Sequence, residues 1–446
     1  MSKIIKLIQS PQESQVSNSI VNKIYNMLYQ KQELNNDVID LTNSNIAGTI
    51  TLNGPTYEEY ITYIRETFPN LYINCESYYI LFKDETVKNI LLAAGCGDGV
   101  GVTLLNARTF NIGQLFRNKN IKYFPEFSKF TYNNNTLTTN NMFEGCSSLE
   151  SIDMSEYTKN VSDGMFRYCS SLQTCNVPLT TSVGSGAYQQ SGITSVDLPN
   201  ATRISHSSFS KCANLTTVNI PNVTEFGNAV FNDCTLLETI NIDWTKVTSF
   251  GSAFLGGCTS FGYNLTVDIS TDQSDITNAF GYTAIKKLII HAHNLSSNHD
   301  VRYPPYECMP NLEYLDMSDT NYPNWGDAYG SPSLVTLVAN NGIRGIDWRF
   351  LLNVPECFKY AILLQEDPSE IDSNDISAGM FRDAPNAHLY VKDETVKQRY
   401  LNNVKFSQIT NFTSKIKTLS ELPVGVWTTG LYKQYEPYLS HSSEYD

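Results

Sequence analysis

The sequence predicts an α/β-type repeat solenoid, with parallel β rungs and short helical turns, preceded by a small α+β domain. Three observations support this fold class. A twelve-residue pattern recurs, its second half alternates apolar and polar residues, and single prolines follow several copies. Alternation over a few residues is typical of a strand with one buried face. A fixed period near 22 residues indicates stacked coils.

The pattern is clearest between residues 143 and 261. Full copies begin at residues 143, 166, 209 and 231, and a copy shortened by one residue begins at 188. A further copy begins at 255, and weaker echoes follow at 280–290, 309–318 and 331–339. One coil of this size cannot bury its own apolar face, so neighbouring coils must cover it.

One cysteine occupies the same slot of successive copies: Cys146, Cys169, Cys212, Cys234 and Cys258. The neighbouring slots hold Phe and Leu, so these thiols are expected to face inward, where a free cysteine acts as a small hydrophobe. Zinc requires ligands that converge tetrahedrally, whereas one cysteine per coil supplies a line. We therefore predict buried core thiols, with a disulfide or a metal ligand as the alternative.

The copies FSKCANLTTVNI and FNDCTLLETINI resemble the BspA-like leucine-rich repeats, also called the Treponema pallidum type. The resemblance covers roughly residues 135–391, and residues 46–131 are similar to the segment that often precedes such repeats. It implies surface recognition and adhesion, as in bacteria, some protists and virion proteins of phages that infect gut bacteria. It implies no enzymatic activity.

Four regions are expected along the chain. They are an attachment or oligomerisation segment at 1–45, a small α+β domain that caps the solenoid at 46–131, the leucine-rich-repeat solenoid at 132–391, and a C-terminal cap and tail at 392–446. In the second region we predict a strand at 47–52, a helix at 56–68, and strands at 71–75 and 78–82.

The two ends of the chain are less regular. The apolar stripe of residues 12–32 predicts a helix. This helix either joins copies of the whole chain, as a coiled coil or docking helix, or packs on the next domain. KDETVK occurs at 83–88 and at 392–397, each time after an apolar strand, so the same strand-to-helix turn is expected twice. The aromatic tail from residue 425 is either a docking strap or disordered.

The charge of the chain excludes several partners. The formal net charge of −14 comes without a basic stripe, which disfavours nucleic acid and an anionic membrane surface. No run approaches the roughly 18 apolar residues of a membrane-spanning helix, so we predict no membrane insertion. The apolar stretch at the first residues is too short for a secretion signal. The protein is therefore expected to stay in the compartment where it is made.

No metal or cofactor is predicted from the motifs. GCGDGVGVT, beginning at Gly95, supplies a single carboxylate, too few for calcium. In HAHNLSSNHD, His291 and His293 share one strand face and His299 follows, which suits zinc but is commoner at a solvated strand end.

A row of short polar residues is expected on the solvent side of consecutive strands. Its members are Asp153, Asn176, Asp197, Asn219, Asn241 and Asp268, with Asp316 further on. Adjacent strands lie about 4.8 Å apart, where two like charges repel by about 1 kcal/mol even in water. No two of the first six are neighbouring aspartates, which favours a stable polar ladder over a metal site. Whether the ladder also binds a ligand stays open.

Aromatic residues collect between positions 303 and 348, in loops that lengthen the repeats. Rings mixed with Asp and Asn are typical of a glycan- or protein-binding loop. The alternative is that about half of them fill gaps where the repeat is irregular. The predicted binding residues are Tyr314, Asp316, Tyr322, Trp325 and Tyr329.

These features predict a non-enzymatic structural and recognition protein without a cofactor. The leading hypothesis is a phage virion component (a fibre, decoration or tail protein) assembled in the host cytoplasm. Its expected partners are other virion proteins or a cell-surface protein or glycan. A bacterial cell-surface adhesin is the second hypothesis, and a glycan-cleaving virion enzyme is the third.

Overall fold

The computed structural model describes most of the chain. The described residues are 6–8, 48–52, 56–67, 71–75, 78–98, 100–130, 139–155, 157, 160–249, 251–262, 264–269, 279–292, 309–320, 324–325, 331–342, 345–346, 356–371, 381, 383–427 and 433–439. The predicted helix at 12–32 lies outside them. The chain divides into two compact units, residues 1–159 and residues 160–446. This boundary falls inside the repeats, after the first full copy.

The first unit combines short helices, small sheets and the first repeat. Its strands are β1 Lys6–Ile8, β2 Gly48–Leu52, β3 Thr56–Tyr57, β4 Leu71–Cys75, β5 Tyr78–Tyr79, β6 Tyr123–Phe124 and β7 Ser151–Ile152. Its helices are α1 Glu58–Thr67, α2 Glu85–Ala93, α3 Leu104–Thr109 and the 3₁₀ helix Pro125–Phe130. β2 pairs antiparallel with β1 and parallel with β4. The order strand, helix, strand matches the prediction for residues 47–75.

Phenylalanines fill the core of the first unit. Phe124 contacts Phe116 and Phe127, with ring centroids 5.1 Å and 5.6 Å apart. Phe143, from the first repeat, lies 5.4 Å from Phe127. All four rings are fully buried, and buried aromatic rings supply large apolar areas to a small core. The first repeat is therefore part of this core.

The two KDETVK stretches each begin a helix that is capped by the aspartate. The side chain of Asp84 accepts a hydrogen bond from the backbone N–H of Thr86 at the start of α2. Asp393 accepts one from the backbone N–H of Val396 at the start of α4, Glu394–Asn402. Each aspartate satisfies an N–H that has no partner within its helix. Both stretches therefore begin a helix as predicted, but the turns are not identical, since Asp84 caps the second residue of its helix and Asp393 the third.

The second unit is a parallel β-solenoid with little helix. Its strands are β8 Ser182–Val183, β9 Ser195–Asp197, β10 Arg203–Ile204, β11 Thr217–Asn219, β12 Glu225–Phe226, β13 Thr239–Asn241, β14 Leu265–Ile269, β15 Lys287–Ala292, β16 Tyr314–Thr320, β17 Asn324–Trp325, β18 Thr336–Ala339, β19 Gly345–Ile346, β20 Tyr360–Leu363, β21 His388–Val391 and β22 Ile416–Thr418. Its helices are α4, α5 Phe412–Lys415 and the 3₁₀ helices Trp244–Lys246, Pro368–Glu370, Phe406–Gln408, Leu419–Glu421 and Lys433–Tyr438. The predicted fold class is confirmed.

Successive coils stack their strands in parallel. β9, β11 and β13 form one three-stranded sheet, and β8, β10 and β12 form another. Farther along, seven strands pair in the order β14–β15–β16–β18–β20–β21–β22. Parallel pairing thus continues to Thr418, past residue 391, where the cap was predicted to begin.

A column of rings fills the first apolar slot of the coils. Phe166, Tyr188, Phe209 and Phe231 stack with centroids 5.3, 5.3 and 5.5 Å apart. Tyr188 belongs to the shortened copy and takes the phenylalanine position there. The column therefore keeps the predicted register through that copy.

The repeat cysteines lie in the core. All five predicted slots, from Cys146 to Cys258, hold fully buried cysteines that form no disulfide. The thiols of Cys212, Cys234 and Cys258 donate to the carbonyl of the ring residue one coil earlier, at 3.0, 3.0 and 3.1 Å. Burial raises the pKa of Cys258 to about 12, so the reactive thiolate is scarce at neutral pH. The prediction of core thiols is confirmed.

The coils from residue 160 to residue 243 close through hydrogen-bonded turns rather than the predicted helical turns. The residue before the cysteine has a positive φ in successive coils: 63° at Tyr168, 61° at Lys211 and 60° at Asp233. A residue in this left-handed region cannot continue a right-handed helix. Each turn therefore ends at this residue and does not extend into a helix.

Candidate functional site

An open polar surface lies on the outer side of the sheet formed by β9, β11 and β13. Its two rows are Ser195, Thr217 and Thr239, and Asp197, Asn219 and Asn241; these six residues are called the polar face. The strands pair in register, so members of a row are about one strand spacing, 4.8 Å, apart. Between them, Val218 points inward and is buried. The alternation thus follows the prediction.

Hydrogen bonds join one row of the polar face into a chain. The Nδ2 of Asn241 donates to the Oδ1 of Asn219 at 2.6 Å, and the Nδ2 of Asn219 donates to the Oδ1 of Asp197 at 2.7 Å. Beyond this row, each asparagine amide keeps one further N–H and at least one lone pair. A shallow groove of about 600 Å³ runs along the polar face. Three of the predicted ladder residues are thus joined in one hydrogen-bonded row.

The other predicted ladder members lie apart from this sheet. Asn176 is exposed in a stretch that forms no strand, since Cys175 replaces the Val or Ile that favours strands in the other coils. Asp153 follows β7 in the first unit and accepts from the backbone N–H and hydroxyl of Ser155. Asp268 lies in β14, in register with His291, and its side chain lies outside the described part.

The predicted aromatic binding site is only partly described. Tyr322 and Tyr329 lie outside the described residues, and Trp325 belongs to β17 without a described side chain. Tyr314 and Asp316 lie in β16. The expected exposure of Asp316 is wrong, because its side chain is covered and only 4% exposed. Ligand binding by this group of five stays a prediction.

The cover over Asp316 is the segment that follows β22. Residues 419–427 and 433–439 are called the strap. Trp427 and Tyr435 are 3% and 2% exposed and pack in one apolar cluster with residues of the seven-stranded sheet. Of the two predictions for the tail, a docking strap is confirmed for the described residues, and it docks on its own chain.

The sheet residues under the strap occupy the slot that carries the polar ladder in earlier coils. Val338 in β18, Ile362 in β20 and Tyr390 in β21 are in register with one another and are buried in the strap cluster. Asp316 precedes Val338 in the same row. The outer face is therefore polar and open at β9–β13, but apolar and covered at β18–β21.

Asp316 is a buried carboxylate with neutral partners. Its Oδ2 accepts from the Nε1 of Trp427 and from the hydroxyl of Tyr314, both at 3.1 Å. Its Oδ1 accepts from the backbone N–H of Ser318 at 2.9 Å. Burial raises the pKa of Asp316 even though these donors oppose the shift. The charged form is thus destabilised under the strap.

In the described residues, His291 of HAHNLSSNHD and Asp98 of GCGDGVGVT contact other groups of the protein. The Nδ1 of His291 lies 3.1 Å from the Oδ2 of the buried Asp319, whereas His293 and His299 lie outside the described residues. Asp98 of GCGDGVGVT accepts from the backbone N–H groups of Val100 and Gly101, as a turn residue does. Among the described side chains, no group of three or more His, Cys, Asp and Glu could hold a metal ion.

The strap over the late coils was not located by sequence reasoning, although a signal for it exists. The outward slot holds Asn219 and Asn241 in the early coils, but Val338 and Ile362 in the late ones. Outward apolar residues in consecutive coils indicate a face that something covers. The aromatic tail then supplies the cover.

The repeats in one part of the chain match a known family. Residues 114–192 and 181–300 match the model of the BspA type leucine rich repeat region, in six copies. These are BspA-type leucine-rich repeats. The matched residues include the cysteine column and the whole polar face of the BspA-type solenoid. No curated protein sequence matches the chain.

Several solved structures are similar to this chain at low identity. A leucine-rich repeat protein from Bacteroides ovatus is 16% identical, with 63% of this chain and 80% of that chain covered and a TM-score of 0.34. A leucine rich cell surface protein from Faecalibacterium prausnitzii is 15% identical, with 62% and 84% covered and a TM-score of 0.26. The pneumococcal vaccine antigen PcpA is 15% identical, with 61% and 70% covered and a TM-score of 0.26.

The described helices are short. None of them is long and apolar enough to cross a membrane.

Proposed function

We propose that this BspA-type solenoid is a non-enzymatic recognition scaffold whose polar face binds an uncharged, linear, hydroxyl-rich polymer, that is, a neutral glycan. The supporting observation is the open polar face itself, where hydroxyl groups recur on three neighbouring strands and carboxamides on two of them. The equivalent face at Val338 and Ile362 is occupied by the strap.

The spacing of the polar face favours a glycan over a peptide. The rows repeat at about 4.8 Å, whereas an extended peptide advances by about 3.3 Å per residue and would lose register after one strand. An extended chain of pyranose rings advances by close to one strand spacing per sugar. Its hydroxyls both donate and accept, which matches the free N–H and lone pair on Asn219 and Asn241.

The charge of the groove favours a neutral polymer. The residues that line the groove include one carboxylate, that of Asp197, and no basic side chain. The whole chain has a formal net charge of −14. A polyanion would therefore be repelled at long range and would find no cation in the groove.

The test removes the ladder amides. In Asn219→Ala with Asn241→Ala, binding to a panel of neutral linear glycans should fall at least about tenfold, with the melting temperature nearly unchanged. Asn200→Ala with Asn222→Ala is the matched control, because these exposed asparagines of neighbouring coils bond to the carbonyls of Pro178 and Pro199, outside the groove. A wild type that binds no neutral glycan, or a control that loses binding equally, would contradict the proposal.

We further propose that the scaffold acts at a surface, either that of a bacterial cell or that of a virion. BspA-type repeats imply surface recognition in both settings, and the partners would be a cell-surface glycan or protein, or other virion proteins. Labelled antibody on producing cells and on purified particles distinguishes the two locations. For the third hypothesis, a glycan-cleaving enzyme, shortened products after incubation with a bound glycan would be required.

A further inference from the structure

The apolar strip under the strap has the features of a docking surface. Val338, Ile362 and Tyr390 form its floor, and the half-buried rings of Tyr314 and Tyr360 flank it. The strap fills it with Trp427 and Tyr435, together with Leu419 and Leu422. An apolar strip of this kind on consecutive outward positions would attract a partner if the strap left.

Among the described residues, the strap contacts the sheet through side chains and forms no strand pairing with it. The Nε1 of Trp427 donates to Asp316 at 3.1 Å, and the hydroxyl of Tyr435 donates to the carbonyl of Leu364 at 3.4 Å. The ammonium of Lys392 lies 5.0 Å from the centre of the Tyr438 ring. The described strap consists of turns and short 3₁₀ helices, and β22 is the last strand that pairs before it. The strap can therefore leave without breaking a strand pairing.

Two opposing effects act on the closed strap. Burial of Trp427, Tyr435 and the strip stabilises closure, because apolar area leaves water. Closure also strips water from the carboxylate of Asp316, which is offered only neutral donors by the described residues. Opening returns this charge to water. A contact in which apolar burial is opposed by the desolvation of a carboxylate is suited to open and close, whereas a wholly apolar contact is not.

We propose that the strap is a reversible latch and that, when it opens, the exposed strip binds the strap of a second copy of this chain. The strip is complementary to the strap. The carboxylate of Asp316 accepts a hydrogen bond from the indole N–H of Trp427, and the floor packs against the rings of Trp427 and Tyr435. The same segment on another molecule carries the same groups, so exchange between copies needs no new contact. Two linked copies would also present two polar faces, which strengthens attachment to a polymer.

The first arm of the test measures the docking surface on the full-length protein. A fluorescently labelled peptide of residues 419–439 is titrated into wild type, Trp427→Ala and Val424→Ala. Trp427→Ala loosens the strap in cis, whereas Val424 is 51% exposed in the same segment and serves as the control. The peptide should bind Trp427→Ala at least about tenfold more tightly than wild type or the control. Equal binding to all three, or no binding to a folded Trp427→Ala, would overturn the latch.

The second arm identifies the occupant. Tagged Trp427→Ala, incubated with untagged wild type, should retain the wild-type chain on affinity resin, and added peptide should release it. Tagged Val424→Ala should retain less. Failure of retention, with peptide binding intact, would overturn the exchange between copies. If Trp427→Ala does not fold, Tyr435→Ala removes the smaller anchor and both arms are repeated with it.

Discussion

Two stretches of one solenoid present opposite outer faces. In β11 and β13 the outward slot holds Asn219 and Asn241, which remain in water and bond to one another. In β18 the same slot holds Val338, which is fully buried under the strap. The inward slots of both stretches are apolar, and Val218 and Leu337 are buried in them. Inward residues thus specify the coil, and outward residues decide whether it stays open or acquires a cover.

The largest effect is expected in the inward core, which the two stretches share. Phe231→Ala should lower the free energy of unfolding by about 3–5 kcal/mol, because a fully buried ring in the stacked column is removed. The measurement is chemical denaturation followed by circular dichroism. Leu236→Ala, in the same coil but 49% exposed, is the control and should change stability by about 0.5 kcal/mol or less. Equal losses would show that the inward and outward slots are misassigned.

A smaller effect is expected when the covered face is given the polarity of the open one. Val338→Asn should lower the free energy of unfolding by about 2–3 kcal/mol, because an amide is then buried in the apolar cluster under the strap. The reciprocal change, Asn219→Val, places an apolar group on an open surface and should be nearly neutral. Both are measured by the same denaturation experiment. Similar costs for the two exchanges would remove the distinction between the faces.

Asp316→Asn tests the charge beneath the strap. The pKa of Asp316 is raised by burial, so its contribution to stability is fully present below the ordinary aspartate pKa of about 3.9. That contribution is lost as the pH rises through the raised value. Asparagine removes the charge and keeps an acceptor for Trp427, but it loses the hydrogen bond from the backbone N–H of Ser318, which keeps the net gain small. We expect the variant to be more stable than wild type by about 1 kcal/mol at neutral pH.

The pH dependence identifies the cause of that gain. The difference between Asp316→Asn and wild type should shrink toward zero as the pH falls to about 4. The neighbouring Tyr314 stays neutral throughout, since burial also raises its pKa. Thermal unfolding of both proteins across this range is the measurement. A constant difference would assign the gain to packing and not to charge.

The smallest effect is expected on the open face. Asn219→Ala removes two exposed ladder hydrogen bonds and should cost less than about 1 kcal/mol. Thermal denaturation beside Asn222→Ala, an exposed asparagine of the same coil, checks the value. A loss comparable with that of Val338→Asn would make the ladder a structural element and leave it little freedom for a ligand.

The features that recur from coil to coil could be predicted from the sequence. The slots of Cys212 and Phe231 recur at a fixed period, and a fixed period places residues in one column of a solenoid. The capping aspartates Asp84 and Asp393 were also accessible, because the stretch around each is identical. Asn219 was assigned to the outer face from alternation alone.

The features that depend on distant contacts were not accessible. Asp316 has the sequence environment of an outward ladder residue, and only Trp427, 111 positions later, changes its surroundings. The left-handed turns were also hidden, since Tyr168 and Lys211 adopt positive φ values that neither residue type suggests. For Asp316 the tertiary contact, and not the local pattern, determines the outcome.

The stacking of one coil on the next has a consequence for how such a chain can grow. A duplication of one coil among residues 188–242 would add one ring to the inner column and one rung to the polar face, because each coil offers the same slots to its neighbours. The strap reaches residues of β16 to β21 and would be carried along unchanged. Unequal recombination can therefore lengthen the open face in steps of about 22 residues, while the covered end is inherited intact.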